Sequence, residues 1–215
     1  ALTPFSRTSL WVVGIESWRR LALHERLVAK MASPLLSISR FSSDRFHHFN
    51  PDLPFATPVH LCVEPPSAGD ALAAEPQYHA SSRDSAVLLV ARMSASERYK
   101  GHDEIIEAWP RVIEKRPDAV LWIVGTGDDV GRLQQKALAI PEPARSKIEF
   151  LGRLDQASLE NRYARARVFA MPSRNEGFGL VFAEGMRSGL PCIASYDAAA
   201  EVLVNGESGL LVPQV

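Results

Sequence analysis

The chain has 215 residues, 46% of them hydrophobic and 23% charged, with a formal net charge of -1. These values exclude a wholly disordered, collagen-like or coiled-coil protein, and the charge balance gives no support for nucleic-acid binding as the main activity. The two cysteines, Cys62 and Cys192, are too far apart for metal-ligand spacing; this excludes a disulfide scaffold or a Cys-based zinc site and suits a reducing cytoplasm.

No run of about 18 uncharged apolar residues is present, and Ala1–Phe5 lacks the basic segment and apolar core of a signal peptide. The chain starts without Met and stops just after a strand-like run, so it reads as a piece of a longer protein. Leu10–Val13 and Leu35–Ile38 are predicted strands, and Ser17–Met31 a predicted helix, with Arg19, Arg20, Arg26 and Lys30 beside Trp18, Leu21, Leu27 and Val28. Three or so elements are too few for an independent core of this type. Residues 1–66 are therefore expected to be the end of a preceding α/β domain, and 67–84, rich in Ala, Ser, Pro and Gly, a linker.

From residue 85 to 215 strands and helices alternate. Ala86–Val90 is a short unbroken apolar run, as expected for a strand buried on both faces. His102–Arg116 follows with helical spacing and an interior Pro110, which suggests a kink. Then come a strand at Ala119–Val124, a helix at Val130–Leu138, a strand at Ile148–Leu151, a helix at Gln156–Ala166 and a strand at Val168–Met171. A helix from about Gly179 to Ser188, a strand at Cys192–Ala194, a short helix near Ala199–Leu203 and a strand at Gly209–Val212 close the series. This order predicts an α/β fold: a Rossmann-like parallel sheet with helices on both faces, plus a partial second α/β domain. Ligands of such sheets bind at the carboxyl ends of the strands.

The densest chemical signal runs from Met171 to Met186, from a strand end into a helix. Gly177 and Gly179 let backbone amides approach a ligand, and amides at a helix N-terminus favour an anion. Glu176 and Glu184 bracket the turn, and ionised carboxylates accept hydrogen bonds from hydroxyls. Read singly, either glutamate is equally well explained as a solvated charge. Together they imply a long ligand with an anionic middle and hydroxyl-bearing ends, as in a nucleoside diphosphate sugar. Arg92 and Lys100, just after the first strand of this region, would flank the same crevice and supply fixed positive charge. Arg98 reads as a loop charge, His102 as a helix-start residue, and Asp128–Asp129 as a helix N-terminal start.

The segments Arg92…Lys100-Gly101-His102, Val124-Gly125-Thr126-Gly127-Asp128, Phe150-Leu151-Gly152-Arg153 and Pro172–Leu180 occur in this order. In this the chain resembles the family-four retaining glycosyltransferases of the GT-B fold, the group 1 glycosyltransferases. Glu176 and Glu184 match that family's glutamate pair with seven intervening residues. The resemblance spans Val87–Pro213. It implies two Rossmann-like domains, with the donor held by the C-terminal one. By resemblance, Arg92 and Lys100 bind the donor diphosphate. Glu176 and the amides of Gly177, Phe178, Gly179 and Leu180 hold the transferred sugar and the phosphates, and Glu184 holds the ribose. Gly125, Gly127, Leu151 and Arg153 line the base pocket. The implied reaction is retaining hexosyl transfer from a UDP-, GDP- or ADP-linked sugar to the hydroxyl of a lipid-linked or oligosaccharide acceptor in polysaccharide or glycolipid synthesis. It needs no metal and no cofactor, and would run in the cytoplasm or peripherally at the membrane surface.

Two departures stand out. Val13 replaces a His common before Gly-Ile-Glu, and Ser195–Val202 replaces a Gly-rich turn, which puts contacts from that loop in question. The chain also lacks the family's early glycine-rich donor loop and its C-terminal crossover helix. A nucleotide-sugar-binding module without turnover is therefore the alternative. A dinucleotide oxidoreductase is disfavoured, because Val130 occupies the third glycine position of the Gly125–Val130 turn. A membrane-surface role for the basic helix competes with packing on its own domain.

Overall fold

A computed structural model describes residues 8–63 and 83–213. Most of the expected linker and the first residues of the chain lie outside the described residues.

The C-terminal region forms a six-stranded, wholly parallel sheet. Its strands are β4 (Ala86–Val90), β5 (Val120–Val124), β6 (Ile148–Gly152), β7 (Val168–Met171), β8 (Cys192–Ser195) and β9 (Gly209–Val212), in the spatial order β6-β5-β4-β7-β8-β9. The chain first builds outward from β4 through β5 to β6, then returns to the other side of β4. The two directions part between β4 and β7, which makes that gap the topological switch point. Strand alternation explains why both faces are covered. Leu89, Leu121 and Ile123 face α3 (His102–Lys115) and α4 (Val130–Leu138), packing on Ile106, Trp109 and Leu133. Their neighbours Leu88 and Trp122 face the opposite way, with Phe169, toward α5 (Gln156–Arg165) and α6 (Leu180–Arg187), packing on Tyr163 and Phe182. Helix α3 runs continuously through Pro110. The buried guanidinium of Arg83 donates to the carbonyls of Ala166 at 2.8 Å and Ser188 at 2.7 Å. It thus satisfies the ends of α5 and α6, where a cation complements both helix dipoles.

The N-terminal region is a three-stranded parallel sheet, β1 (Leu10–Val12), β2 (Leu35–Ser37) and β3 (Thr57–Pro58), in that order. The helix expected over Ser17–Met31 is shorter: a 3-10 turn at Ile15–Ser17 precedes α1, which covers only Leu23–Met31. The Glu25 carboxylate accepts the Ala22 N–H at 2.7 Å and pairs with Arg19, which starts the helix at Leu23. The sequence reading did not foresee α2 (Arg40–Phe49), whose Ser, His and Phe are weak helix formers. Its start is fixed by Ser39, whose hydroxyl accepts the Ser42 N–H at 2.9 Å. A small core of Val12, Ala29, Leu35, Phe46, Leu53 and Ala56 holds this layer together.

Candidate functional site

The loops after β4 and β7 converge at the switch point around a cavity of about 480 Å³. Arg92, Glu97, Tyr99 and Lys100 line it from the β4 side, and Glu176 with the 177–180 turn from the β7 side. Val13–Glu16 of the N-terminal layer close it. The sequence-predicted residues Arg92, Lys100, Glu176, Gly177, Phe178, Gly179 and Leu180 therefore meet in one place.

Both cations are already engaged. Lys100 Nζ lies 2.8 Å from Glu176 Oε2, and both side chains are largely buried. Arg92 is held in a two-pronged pair by Glu97, Nε to Oε2 at 2.9 Å and Nη2 to Oε1 at 2.8 Å. The Arg92 side chain is 70% exposed and that of Glu97 only 15%, so a partly buried carboxylate presents an open guanidinium to the cavity. The sequence gives no signal for Glu97: it sits in a kinked 3-10 turn, Ala95–Lys100, and its partner Arg92 lies five residues back, outside that turn. Burial, with Glu97 and Glu176 nearby, pushes the Tyr99 hydroxyl up to about 12. Arg98, read as a loop charge, is half-exposed yet forks onto Asp129, which also binds Arg132. Arg132 bridges on to Asp103, so this network ties the Lys100 loop to α3 and α4. His102 is buried at the start of α3, and burial lowers its imidazole to about 4, which keeps it neutral.

The sugar-binding candidate sits on a tightly determined turn. Asn175 adopts φ 71°, a left-handed conformation that costs a non-glycine residue energy. A Cβ at Gly177 would lie 2.8 Å from the Val13 carbonyl, so only glycine lets the N-terminal layer close on this turn. The Glu176 N–H donates to Asp197 Oδ2 at 2.9 Å. Asp197 lies in the loop whose contacts the sequence put in question, and the structure brings it into the site. It is 6% exposed, and burial raises its carboxyl to about 6, with the Glu176 charge adding to the rise.

Glu184 is separated from Glu176. It sits on α6 and lines a neighbouring cavity of about 270 Å³ with Tyr163, Gln156 and Cys62; Leu180 lines both cavities. The Tyr163 hydroxyl donates to Glu184 Oε2 at 2.9 Å. Gly125, Gly127, Leu151 and Arg153 line neither cavity. A Cβ on Gly125 or Gly127 would fall 2.0 Å from the Ala91 carbonyl or 1.9 Å from that of Met93. These glycines let the β5 loop press on the β4 loop that carries Arg92, and Leu151 is packed against the core.

Among the described residues, no group of three or more His, Cys, Asp or Glu side chains could hold a metal ion, and no helix is long and apolar enough to cross a membrane.

Comparison with known proteins matches residues 84–215 to the family model "Glycosyl transferases group 1". A GDP-mannose-dependent monoacylated alpha-(1-6)-phosphatidylinositol monomannoside mannosyltransferase of Corynebacterium glutamicum is 38% identical over 120 residues, covering 53% of this chain and 30% of its own length. A GDP-mannose-dependent alpha-(1-6)-phosphatidylinositol monomannoside mannosyltransferase of Mycolicibacterium smegmatis is 30% identical over 203 residues, covering 87% of this chain and 50% of its own. The chain thus spans half or less of the length of these relatives. Among solved structures, TarM superposes with a TM-score of 0.75 at 15% identity, over 98% of this chain and 41% of its own. Anabaena HepE in complex with UDP and glucose superposes at 0.67 and 21% identity, over 87% and 51%. At these identities the structural likeness speaks for the fold alone.

Proposed function

The chain belongs to the group 1 glycosyl transferases, and from that premise we propose that the whole protein transfers a hexosyl group from a nucleoside diphosphate sugar to an acceptor hydroxyl with retention. The observation that carries the reading is the switch-point cavity, where two cations, a carboxylate and a glycine-rich helix start face one another. The diphosphate takes Arg92, Lys100 and the amides of the 177–180 turn. Lys100 must then leave or share Glu176, which frees that carboxylate for hydroxyls of the transferred sugar. As the bond to the leaving diphosphate breaks, charge grows on the phosphate oxygens, and the two cations, turned onto them when the donor bound, stabilise it. No metal is required in this scheme, since the cations supply that charge. Glu184, in the next cavity along, takes the ribose, and Tyr163 steadies its carboxylate. The base lies toward Gly125, Gly127, Leu151 and Arg153.

The relatives named for GDP-mannose and phosphatidylinositol mannosides favour a GDP-linked mannose and a glycolipid acceptor at the membrane surface. A UDP- or ADP-linked donor and an oligosaccharide acceptor are the other members of the same class.

Titration calorimetry on this chain with GDP, UDP and ADP, the free nucleosides and the matching sugar nucleotides tests the reading. Arg92→Ala or Lys100→Ala should each cost about 1.5–3 kcal/mol of nucleoside diphosphate binding, and much less for the nucleoside. Glu184→Ala should weaken both diphosphates and sugar nucleotides, whereas Glu176→Ala should spare the diphosphate. Equal losses for nucleoside and diphosphate would remove Arg92 and Lys100 as phosphate ligands. Identical profiles for the two glutamate variants would end the division of roles.

A further inference from the structure

The dipeptide Glu176–Gly177 is gripped from both sides, and the two grips are connected. On the side of the six-stranded sheet, the Glu176 N–H donates to Asp197, which also accepts the Ala199 N–H at 3.0 Å and so opens the 3-10 turn Ala198–Glu201. On the side of the N-terminal layer, the Gly177 carbonyl accepts the Ser39 hydroxyl at 2.6 Å and the Ser42 hydroxyl at 3.0 Å. Ser39 is the N-cap of α2 and Ser42 lies in its first turn. The last residue of the 3-10 turn, Glu201, closes the circuit. Its two carboxylate oxygens accept the Arg40 N–H at 2.8 Å and the Phe41 N–H at 2.6 Å, the first two amides of that helix. His60 Nε2 lies 2.9 Å from the same carboxylate.

A carboxylate on two free amides at a helix N-terminus is a strong and directional contact, because the helix dipole adds to two charge-assisted hydrogen bonds. Ser39 caps the helix itself, and Glu201 pins that capped end of α2 to the larger layer. Ser39 and Ser42 can reach the Gly177 carbonyl only with α2 in that place. We propose that Glu201 is a positioning residue for the sugar-binding turn: it acts through the N-terminus of α2, so that docking of the N-terminal layer and the geometry of Glu176 are set together. The turn has reason to need this support, since Asn175 holds a left-handed conformation that its own energetics disfavour. Protein without the docked layer keeps the diphosphate cations Arg92 and Lys100, but its sugar-holding carboxylate is loosely placed. Only the sugar-specific part of this inference rests on Glu176 holding the transferred sugar.

Hydrogen exchange on the 215-residue chain tests the circuit without any ligand. Glu201→Gln, which removes the charge and one of the two acceptors, should speed exchange across residues 174–181 by about tenfold, the scale of one strong hydrogen bond. The milder Ser42→Ala, which leaves the Ser39 cap and the Glu201 contacts in place, should speed it by about threefold, and remains usable if Glu201→Gln does not fold. A residue that merely anchors α2 would loosen residues 39–43 and leave 174–181 unchanged, and that result overturns the proposal. Calorimetry with GDP and GDP-mannose gives the second reading. Glu201→Gln should weaken the sugar nucleotide about tenfold while GDP stays within about twofold. Equal weakening of both would overturn the positioning role. If the unaltered chain binds neither ligand, the donor reading fails, and the exchange experiment still decides whether Glu201 holds the turn.

Discussion

The two sheets of this molecule are both parallel and both built from short strands, yet they are stabilised differently. The six-stranded sheet is covered on both faces by helices, and its two apolar clusters contain side chains as large as Trp109, Phe169 and Phe182 with essentially no exposure. The three-stranded sheet has strands of three, three and two residues and one small cluster. Its helix α1 buries Ala29 and leaves Leu23 75%, Leu27 54% and Met31 72% exposed. Polar contacts compensate in part: Asn50 is fully buried, accepts the Leu21 N–H and donates to the carbonyls of Arg19 and Phe46. The smaller layer also leans on the larger through Glu201, Ser39 and Ser42. A parallel sheet needs apolar cover on both faces. The larger region supplies its own cover, and the smaller one draws much of its order from contacts made across the seam.

The largest effect should therefore come from the larger layer. Phe169→Ala removes a fully buried ring wedged between Tyr163 and Phe182 and should cost about 3–5 kcal/mol in urea unfolding. A loss below about 1 kcal/mol would mean that this core is loose, and the contrast between the layers would disappear.

At the seam, Asp197 sharpens the comparison through pH. Its carboxyl is raised from 3.8 to about 6. Between those values the folded chain keeps a proton that the unfolded chain has released, so this residue's contribution is complete below about pH 4 and is lost as pH rises through about 6. The loss is at most about 3 kcal/mol, at 1.4 kcal/mol per unit. Asp197→Asn has no such titration. Its stability relative to the unaltered chain should therefore improve by about 1–3 kcal/mol between pH 4 and pH 7, measured as urea unfolding at each pH. A constant difference across that range would show that Asp197 is solvated and not part of a closed seam.

The smallest effect should lie on α1. Leu27→Ala, on the exposed face, should change stability by less than about 0.5 kcal/mol. A loss near that of Phe169→Ala would mean that this face is covered in solution, and would erase the difference in cover.

Much of the larger layer was legible in the sequence. Its strands were readable because a doubly buried strand is an unbroken apolar run, as at Ala86–Val90, and its helices because Ile106, Trp109 and Ile113 recur at helical spacing. The glycine-rich turn was readable because it is contiguous, and the two glutamates because they flank it at a fixed spacing; that they line different cavities was not. In the smaller layer the same rules gave less. The start of α1 depends on a carboxylate reaching back to Ala22, and α2 depends on a serine cap; neither leaves a strong hydrophobic period.

What the sequence determined by itself is local: the alternation that requires a parallel sheet, and the cations, carboxylates and glycines gathered between Arg92 and Glu184. Only the tertiary structure decided which partners those residues have. Lys100 and Glu176 are 76 positions apart and form one ion pair; Arg92 is held by Glu97; Glu176 is anchored by Asp197; Gly177 is held by serines more than 130 positions away. The physical reason is the strand order. Returning to the far side of β4 brings the β4 and β7 loops to one switch point, and no local pattern records the distance over which a chain folds back.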